Sequence, residues 1–342
     1  MFDSVGGRYI VLAFFGSAAH PETAELMRHI ESFRERFNDV DLCFFGVSVD
    51  PDDERTHELR DSVPGVRYFW DFDRAISAQY GAVSPEGGYR PITYVLDPLL
   101  RVVAVFTPGA PRGAHVASLF ALLDRLPRTS PVHVAPVQAP VLVLPRVFEA
   151  SLCQELIAYY DARGGEDSGF MRDVNGRTTK IIDYGHKRRR DCTIETEALR
   201  RECMVRIHDR LVPEIRKAFQ FEVTRMERYL VACYDATEEA HFRPHRDNTT
   251  KGTAHRRFAV SLFLNTGAYE GGFLRFPEFG SALYSAPAGG AVVFSCSLLH
   301  EATTVTRGRR FMFLPFLYDE AARRIREENF RFLDSGVDAR VE

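Results

Sequence analysis

The stretch VACYDATEEAHFRPHRDN, residues 231–248, places His245 and Asp247 two positions apart. In an extended strand, residues i and i+2 project to the same face, so both side chains can reach one ion. His300 follows 53 positions after Asp247 and can supply a third ligand from another strand. Two imidazoles and one carboxylate on one face leave about three positions open on an octahedral metal. A bare His-x-Asp is a weak signal, because chance supplies it in many proteins. Its surroundings decide the matter.

Downstream of His300 comes EATTVTRGRRFMFLPF, in which Arg310 stands at the start of an apolar strand. A guanidinium entering a barrel interior is costly unless a carboxylate meets it, and its fork geometry matches one. A dicarboxylate cosubstrate would satisfy it. Tyr234 could donate a hydrogen bond to the same carboxylate; its alternative reading is a plain core aromatic. Arg309, adjacent to Arg310, is the alternative cosubstrate ligand. Around these residues, RMERYLVACY, RRFAVSLFLN, GFLRFPEF, SALYSAP, GAVVFSCS and RRFMFLPFLY are short strand-like runs with frequent turn signals. Such spacing suggests a sandwich or barrel. Two helical stretches, ASLCQELIAYYDARG and ETEALRRECMVRIHDRLVPEIRKAF, precede them.

Taken in order, Tyr234, His245-x-Asp247, Leu264-Asn265, Gly271-Gly272, Pro287 to Gly290, His300 and Arg310-Phe311 resemble the prolyl-4-hydroxylase-like branch of the Fe(II)/2-oxoglutarate-dependent dioxygenases. The segment 231–248 is especially similar to the hypoxia-factor prolyl hydroxylases. The resemblance covers roughly the last 200 residues. It implies a double-stranded β-helix (jelly roll) with supporting helices, Fe(II) held by His245, Asp247 and His300, and 2-oxoglutarate held by Arg310 and Tyr234. It further implies O₂ as cosubstrate, succinate and CO₂ as coproducts, and ascorbate as a supporting reductant. The substrate expected is a prolyl residue or another amino acid, peptide or small molecule. The basic run Lys187-Arg188-Arg189-Arg190 lies where this family places substrate-facing loops, so Arg188, Arg189 and Arg190 are substrate candidates; a solvated loop is the simpler reading. His241 and His255 read as structural.

The first half has another texture. RYIVLAFFG and VDLCFFGVSVD are continuous apolar runs, as strands covered on both faces should be. PETAELMRHIESFRERF, DDERTHELRD, RAISAQYGAV and GAHVASLFALLDRL read as helices, VRYFWDF as a strand, and ITYVLD with RVVAVF as an antiparallel hairpin. This alternation means an α/β layer fold. FFGSAAHPETAEL and YRPITYVLD resemble thioredoxin-fold proteins, nearest the peroxiredoxins and thiol-disulfide reductases. Where those families carry their cysteines, this chain has Ala19, His20, Pro21 and Glu22. Thiolate is the nucleophile of that chemistry, so a docking, dimerising or substrate-presenting role is expected instead. Pro91 is the candidate cis-proline.

The domains expected are therefore 1–126, thioredoxin-like without redox cysteines; 127–140, a tether with five prolines counting the nearby Pro145; and 141–342, the dioxygenase. With 342 residues, 45% hydrophobic and 27% charged, the chain is neither disordered nor a single small domain. A net charge of −3 gives no field favouring nucleic acid or an anionic membrane, and no apolar run is long enough to span a bilayer. Six scattered cysteines form no CxxC pair, which suits free thiols in the cytoplasm. A homodimer is compatible with the thioredoxin-like half. Two competing readings are a thioredoxin-fold redox protein with an accessory jelly roll, and a jelly-roll binding protein without turnover. The missing cysteines weigh against the first and the intact His-Asp-His-Arg set against the second.

Overall fold

The computed structural model describes residues 2–56, 59–128 and 134–334, which divide into units Met1–His133 and Val134–Glu342. In the first unit, β1 (Tyr9–Gly16) runs through the middle of a five-stranded sheet and sends its side chains alternately to two cores. Ile10, Leu12 and Phe14 meet Cys43, Phe45 and Val47 on one face, while Val11 and Ala13 meet Leu42 and Phe44 on the other. The continuous apolar run is thus two period-two stripes, each buried.

Helix α1 (Pro21–Ser32) opens on proline, with the His20 imidazole accepting from the Glu22 amide at 3.4 Å. Strand β2 (Leu42–Ser48), α2 (Pro51–Arg55), β3 (Val66–Trp70), α3 (Ala75–Gln79), β4 (Ile92–Leu96), β5 (Val102–Phe106) and α4 (Ala114–Leu123) complete the unit. The strand order is β3-β2-β1-β4-β5, parallel from β1 to β3 and antiparallel through the β4–β5 hairpin. This is the thioredoxin-like layout the sequence suggests. Two details differ. The helix expected over 52–61 stops at Arg55, since its residues offer no apolar stripe, and residues 57 and 58 lie outside the described ones. The Arg90–Pro91 bond is trans and leads straight into β4; the cis bonds among the described residues precede Pro64 and Pro111.

The expected tether includes residues 129–133, which lie outside the described residues. Its last part is anchored: Ala139 is buried and its amide donates to the Tyr284 hydroxyl at 2.9 Å.

The second unit begins with β6 (Leu142–Leu144), α5 (Ala150–Arg163), β7 (Glu166–Asp167), β8 (Phe170–Val174), β9 (Arg177–Ile181), β10 (Lys187–Arg188) and β11 (Arg190–Thr193). Helices α6 (Glu197–Arg210) and α7 (Val212–Phe219) divide the single long helical stretch at Pro213. Then come β12 (Arg225–Glu227), β13 (Leu230–Asp235), β14 (His241–His245), β15 (Phe258–Phe263), β16 (Glu270–Gly271), β17 (Leu274–Arg275) and β18 (Leu283–Tyr284). Strands β19 (Ala291–Ser295), β20 (His300–Ala302), β21 (Val305–Arg307), β22 (Arg309–Phe313) and β23 (Phe316–Tyr318) precede the last helix, α8 (Glu320–Asn329). A nine-stranded sheet runs β12-β23-β15-β22-β13-β11-β7 with β19 and β6 attached; a five-stranded sheet runs β10-β14-β20-β17-β18.

The two sheets share one core. Ala232, Tyr234, Phe263, Val292, Phe294 and Met312 come from the larger, and Phe242, Leu274 and Ala302 from the smaller. On the opposite face of β13 and β22, Tyr160 of α5 packs edge-on to Phe311 with ring centroids 5.3 Å apart. This is the expected double-stranded β-helix with supporting helices. The sequence reading assigns no strand between 165 and 193; the structure forms five there. They are short and mostly polar: Phe170 packs against the shared core, while Lys187 and Asp191 are held by hydrogen bonds and charge pairing. Among the described residues, no helix is long and apolar enough to cross a membrane.

Candidate active site

Strands β14 and β20 are antiparallel neighbours, and their register sets His245 directly opposite His300. Asp247 reaches the same point by another route. It lies beyond the end of β14, in a turn tied down by its own amide donating to the Cys296 carbonyl at 3.0 Å. The two-residue spacing therefore works through a turn, not through a shared strand face.

His245 Nε2 stands 3.6 Å from Asp247 Oδ1, and His300 Nε2 stands 3.3 Å from Asp247 Oδ2. The ligand atoms of all three lie within 4.8 Å of one another. Each imidazole is oriented from behind: Nδ1 of His245 donates to the Arg243 carbonyl at 2.8 Å, and Nδ1 of His300 to the Leu298 carbonyl at 2.9 Å. A carbonyl only accepts, so both Nδ1 atoms carry the proton and both Nε2 lone pairs face the common centre. That tautomer is the one a metal needs.

Aromatic rings lock these side chains in place. Phe242 stacks on His245 with centroids 3.4 Å apart, and Phe294 meets His300 edge-on at 4.5 Å. Burial and the neighbouring His300 push the His245 imidazole down to about 4, keeping it a neutral donor at neutral pH. Burial alone would raise Asp247, but the facing imidazoles more than reverse it and hold the carboxyl well below its usual range. Two imidazole Nε2 atoms and an ionised carboxylate form a donor set that fits a divalent transition metal.

Across the core, on the larger sheet, Tyr234 and Arg310 are cross-strand partners of β13 and β22. Arg310 is 1% exposed, yet among the described residues no carboxylate pairs with it, and its Nε has no hydrogen-bond partner. Its guanidinium lies between two rings, 4.9 Å from the Tyr234 centroid and 5.2 Å from that of Phe263. A buried cation in this state is poised for an anion. Gly272 makes room for it: its φ is +63°, and a Cβ there would stand 2.6 Å from Arg310 Cδ. Arg309 faces away, half-exposed, and pairs with Asp161 at 2.8 Å.

The basic run separates by the same alternation. Arg188 donates to the Glu238 carbonyl, and exposed Arg190 lies near Asp167 and Glu238. Arg189 turns inward, pairs with Asp191 at 2.6 Å and reaches the Tyr234 hydroxyl at 3.4 Å. Lys187 is also inward, donating to Ser168 Oγ at 2.8 Å and to the Gly169 carbonyl at 2.6 Å. A cavity of about 890 Å³ is lined by His245 and Asp247 together with Lys187, Asp191 and Arg228. Sequence reasoning did not single out Ser168, Asp191 or Arg228. The signal that could have found Asp191 is its odd-numbered spacing from Lys187 and Arg189, which puts the three on one face once the segment is extended.

In the first unit, Cys43 is fully buried in β2, and burial pushes its thiol up to about 12. The cavity lined by Thr23 of α1, Pro91 and His115 is about 20 Å³, room for about one water.

A double-stranded β-helix carrying a His-Asp-His trio opposite a buried, unpaired arginine defines the class of non-haem Fe(II) oxygenases. The family comparisons agree. Residues 229–318 match the family described as the 2OG-Fe(II) oxygenase superfamily, and residues 2–105 match the AhpC/TSA family. The chain thus joins an AhpC/TSA-type thioredoxin-like domain to a 2OG-Fe(II) oxygenase domain; it is a dioxygenase, and its cofactor and cosubstrate are Fe(II) and 2-oxoglutarate. No curated protein matches the chain. Among solved structures, a Pseudomonas putida prolyl-4-hydroxylase is similar at 18% identity and a TM-score of 0.40, over 54% of this chain and 94% of that one. A Trichoplax adhaerens prolyl hydroxylase, solved with a hypoxia-inducible-factor peptide fragment, is similar at 14% identity and a TM-score of 0.41, over 55% and 87%. Mycobacterium tuberculosis AhpC is similar at 19% identity and a TM-score of 0.28, over 35% and 73%.

Proposed function

We propose that His245, Asp247 and His300 hold the Fe(II), that Arg310 and Tyr234 hold the far carboxylate of 2-oxoglutarate, and that the chain hydroxylates a C–H bond of a prolyl or other amino-acid or peptide substrate, releasing succinate and CO₂. The observation that carries this reading is the convergence of two Nε2 atoms and one carboxylate opposite a buried arginine that has no ion-pair partner among the described residues. Bound at the trio, Fe(II) supplies dioxygen activation coupled to decarboxylation of 2-oxoglutarate.

The chain's own contribution is placement. The backbone carbonyls of Arg243 and Leu298 keep both imidazoles in the ligating tautomer. The guanidinium of Arg310 offers a fork to one carboxylate, and the Tyr234 and Phe263 rings on either side exclude water that would weaken the pair. Tyr234 is steadied in turn by Arg189, whose Nη1 donates to its hydroxyl. The prolyl or amino-acid substrate class is supported by the resemblance of segment 231–248 and by a cavity of about 890 Å³ beside the trio.

The first unit is read as redox-silent, because positions 19–22 carry no cysteine and the Cys43 thiol is sealed inside a strand. Anaerobic iron binding and 2-oxoglutarate-dependent succinate formation test the central reading. Stoichiometric iron binding by His245→Ala or Asp247→Ala protein would sink it.

A further inference from the structure

The cavity beside the trio carries more positive charge than the proposed Fe(II) and 2-oxoglutarate chemistry uses. Among the described residues, Lys187, Arg228, Arg256 and Arg326 line it, Arg189 lies buried behind them on Asp191, and these five cations share two buried carboxylates, Asp191 and Glu227. Glu227 is taken by His255 at 2.9 Å, Arg256 at 2.8 Å and Arg326 at 3.4 Å. Asp191 is taken by Arg189 at 2.6 Å, Ser168 at 2.5 Å and Arg228 at 3.3 Å. Even with Lys187 neutral, an excess of two positive charges remains. The metal centre does not absorb it, since Fe(II), Asp247, a 2-oxoglutarate dianion and Arg310 sum to neutrality. The charged side chains on the outer rim, among them Asp167, Arg172 and Asp183, are exposed and solvated.

Arg228 and Lys187 have donors to spare beside His245 and Asp247. Arg228 uses one of its five N–H groups, on Asp191, and turns about a quarter of its side chain toward the cavity. Its backbone is left-handed at φ +69°, a conformation an L-residue with a side chain holds only when its surroundings impose it. Lys187, when protonated, as a bound oxyanion would favour, has one N–H beyond the two on Ser168 and Gly169, and it lies 4.7 Å over the Phe242 ring, the same ring that stacks on His245. Ser168 Oγ and Asp191 Oδ2 link the two cations. Buried excess charge of this kind is costly unless a ligand neutralises it.

We infer that Arg228 and Lys187 hold an oxyanion of the substrate, a carboxylate or a phosphate, in the cavity beside His245 and Asp247. The inference rests on reading the trio as the Fe(II) site and adds the substrate's charge to it.

The test uses the full chain, loaded anaerobically with Fe(II) and 2-oxoglutarate. Binding is measured for a panel of N-acetyl amino acids with free carboxylates, for the corresponding amides, and for inorganic phosphate. At least one carboxylate should bind tenfold or more tightly than its amide. Arg228→Gln and Lys187→Met should each reduce that preference at least fivefold, Arg228→Lys should keep most of it, and all three should bind 2-oxoglutarate as the parent does. Phosphate binding that depends on Arg228 in the same way, with no carboxylate preference, would assign the oxyanion to a phosphate. Absence of any oxyanion-dependent binding, or a preference that survives in Arg228→Gln, overturns the inference. Failure of the parent protein to bind 2-oxoglutarate at all would instead strike the Fe(II) reading, and the inference with it.

Discussion

Replacing Arg310 by methionine keeps an unbranched apolar stem of about the reach of Nε and removes the charged guanidinium, which largely separates stem packing from ion pairing. In the cosubstrate-free protein the guanidinium is 1% exposed and unpaired, so its loss relieves a buried charge and should leave stability unchanged or raised. With 2-oxoglutarate bound the sign reverses. Truncating one member of a desolvated charge pair costs about 2–5 kcal/mol, or roughly 30- to 4000-fold in affinity. At a concentration 100 times the dissociation constant, the cosubstrate stabilises the parent by about 2.7 kcal/mol. A variant binding roughly 30-fold more weakly retains about 0.9 kcal/mol at the same concentration. For a domain of this size the difference amounts to roughly 4–7 °C of melting temperature. Anaerobic thermal unfolding with Fe(II), with and without 2-oxoglutarate, reads it directly. Arg309→Met is the control, because the exposed Arg309–Asp161 pair is worth at most about 1 kcal/mol and does not face the core. A full cosubstrate shift in Arg310→Met, with the shift lost in Arg309→Met, would refute the reasoning and move the assignment by one residue.

His245→Ala, Asp247→Ala and His300→Ala should each abolish iron-dependent succinate formation and tight iron binding while circular dichroism stays native, since three protein ligands leave none spare. Gly272→Ala should raise the 2-oxoglutarate requirement severalfold, because a Cβ at φ +63° would press on Arg310 Cδ; an unchanged requirement would show that this approach is not needed. The pH dependence of the metal-free protein has a definite sign. His245 is lowered from 6.5 to about 4 in the fold, so between those values the unfolded chain binds more protons and stability rises with pH. Melting curves of parent and His245→Gln over that window should differ by this slope, and parallel curves would contradict it. All six cysteines are buried, so the native chain should react with a thiol reagent only on unfolding and should consume no peroxide; peroxide reduction tracking Cys43 would overturn the redox-silent reading of the first unit.

The chain order of amino acids was enough to show two textures, the period-two apolar stripes of β1 and β2, and the missing cysteines at 19–22, because each is a local property. It also showed the ordered Tyr234, His245, Asp247, His300 and Arg310 set, whose residue types limit the chemistry wherever they meet. Tertiary structure decided how they meet. His300 faces His245 because β14 and β20 pair in one register among many, and Asp247 joins them through a bond to Cys296 made across the turn. Arg310 rather than Arg309 enters the core because β22 pairs with β13 in the phase that puts Arg310 opposite Tyr234. The strands between 165 and 193 were illegible for a related reason: they are short and carry no sustained apolar alternation, and Lys187, Arg189 and Asp191 become interior residues only when Ser168 and Arg228, distant along the chain, arrive to bond them. Local periodicity records which side chains avoid water, whereas a buried charge is stabilised by partners that the fold alone brings to it.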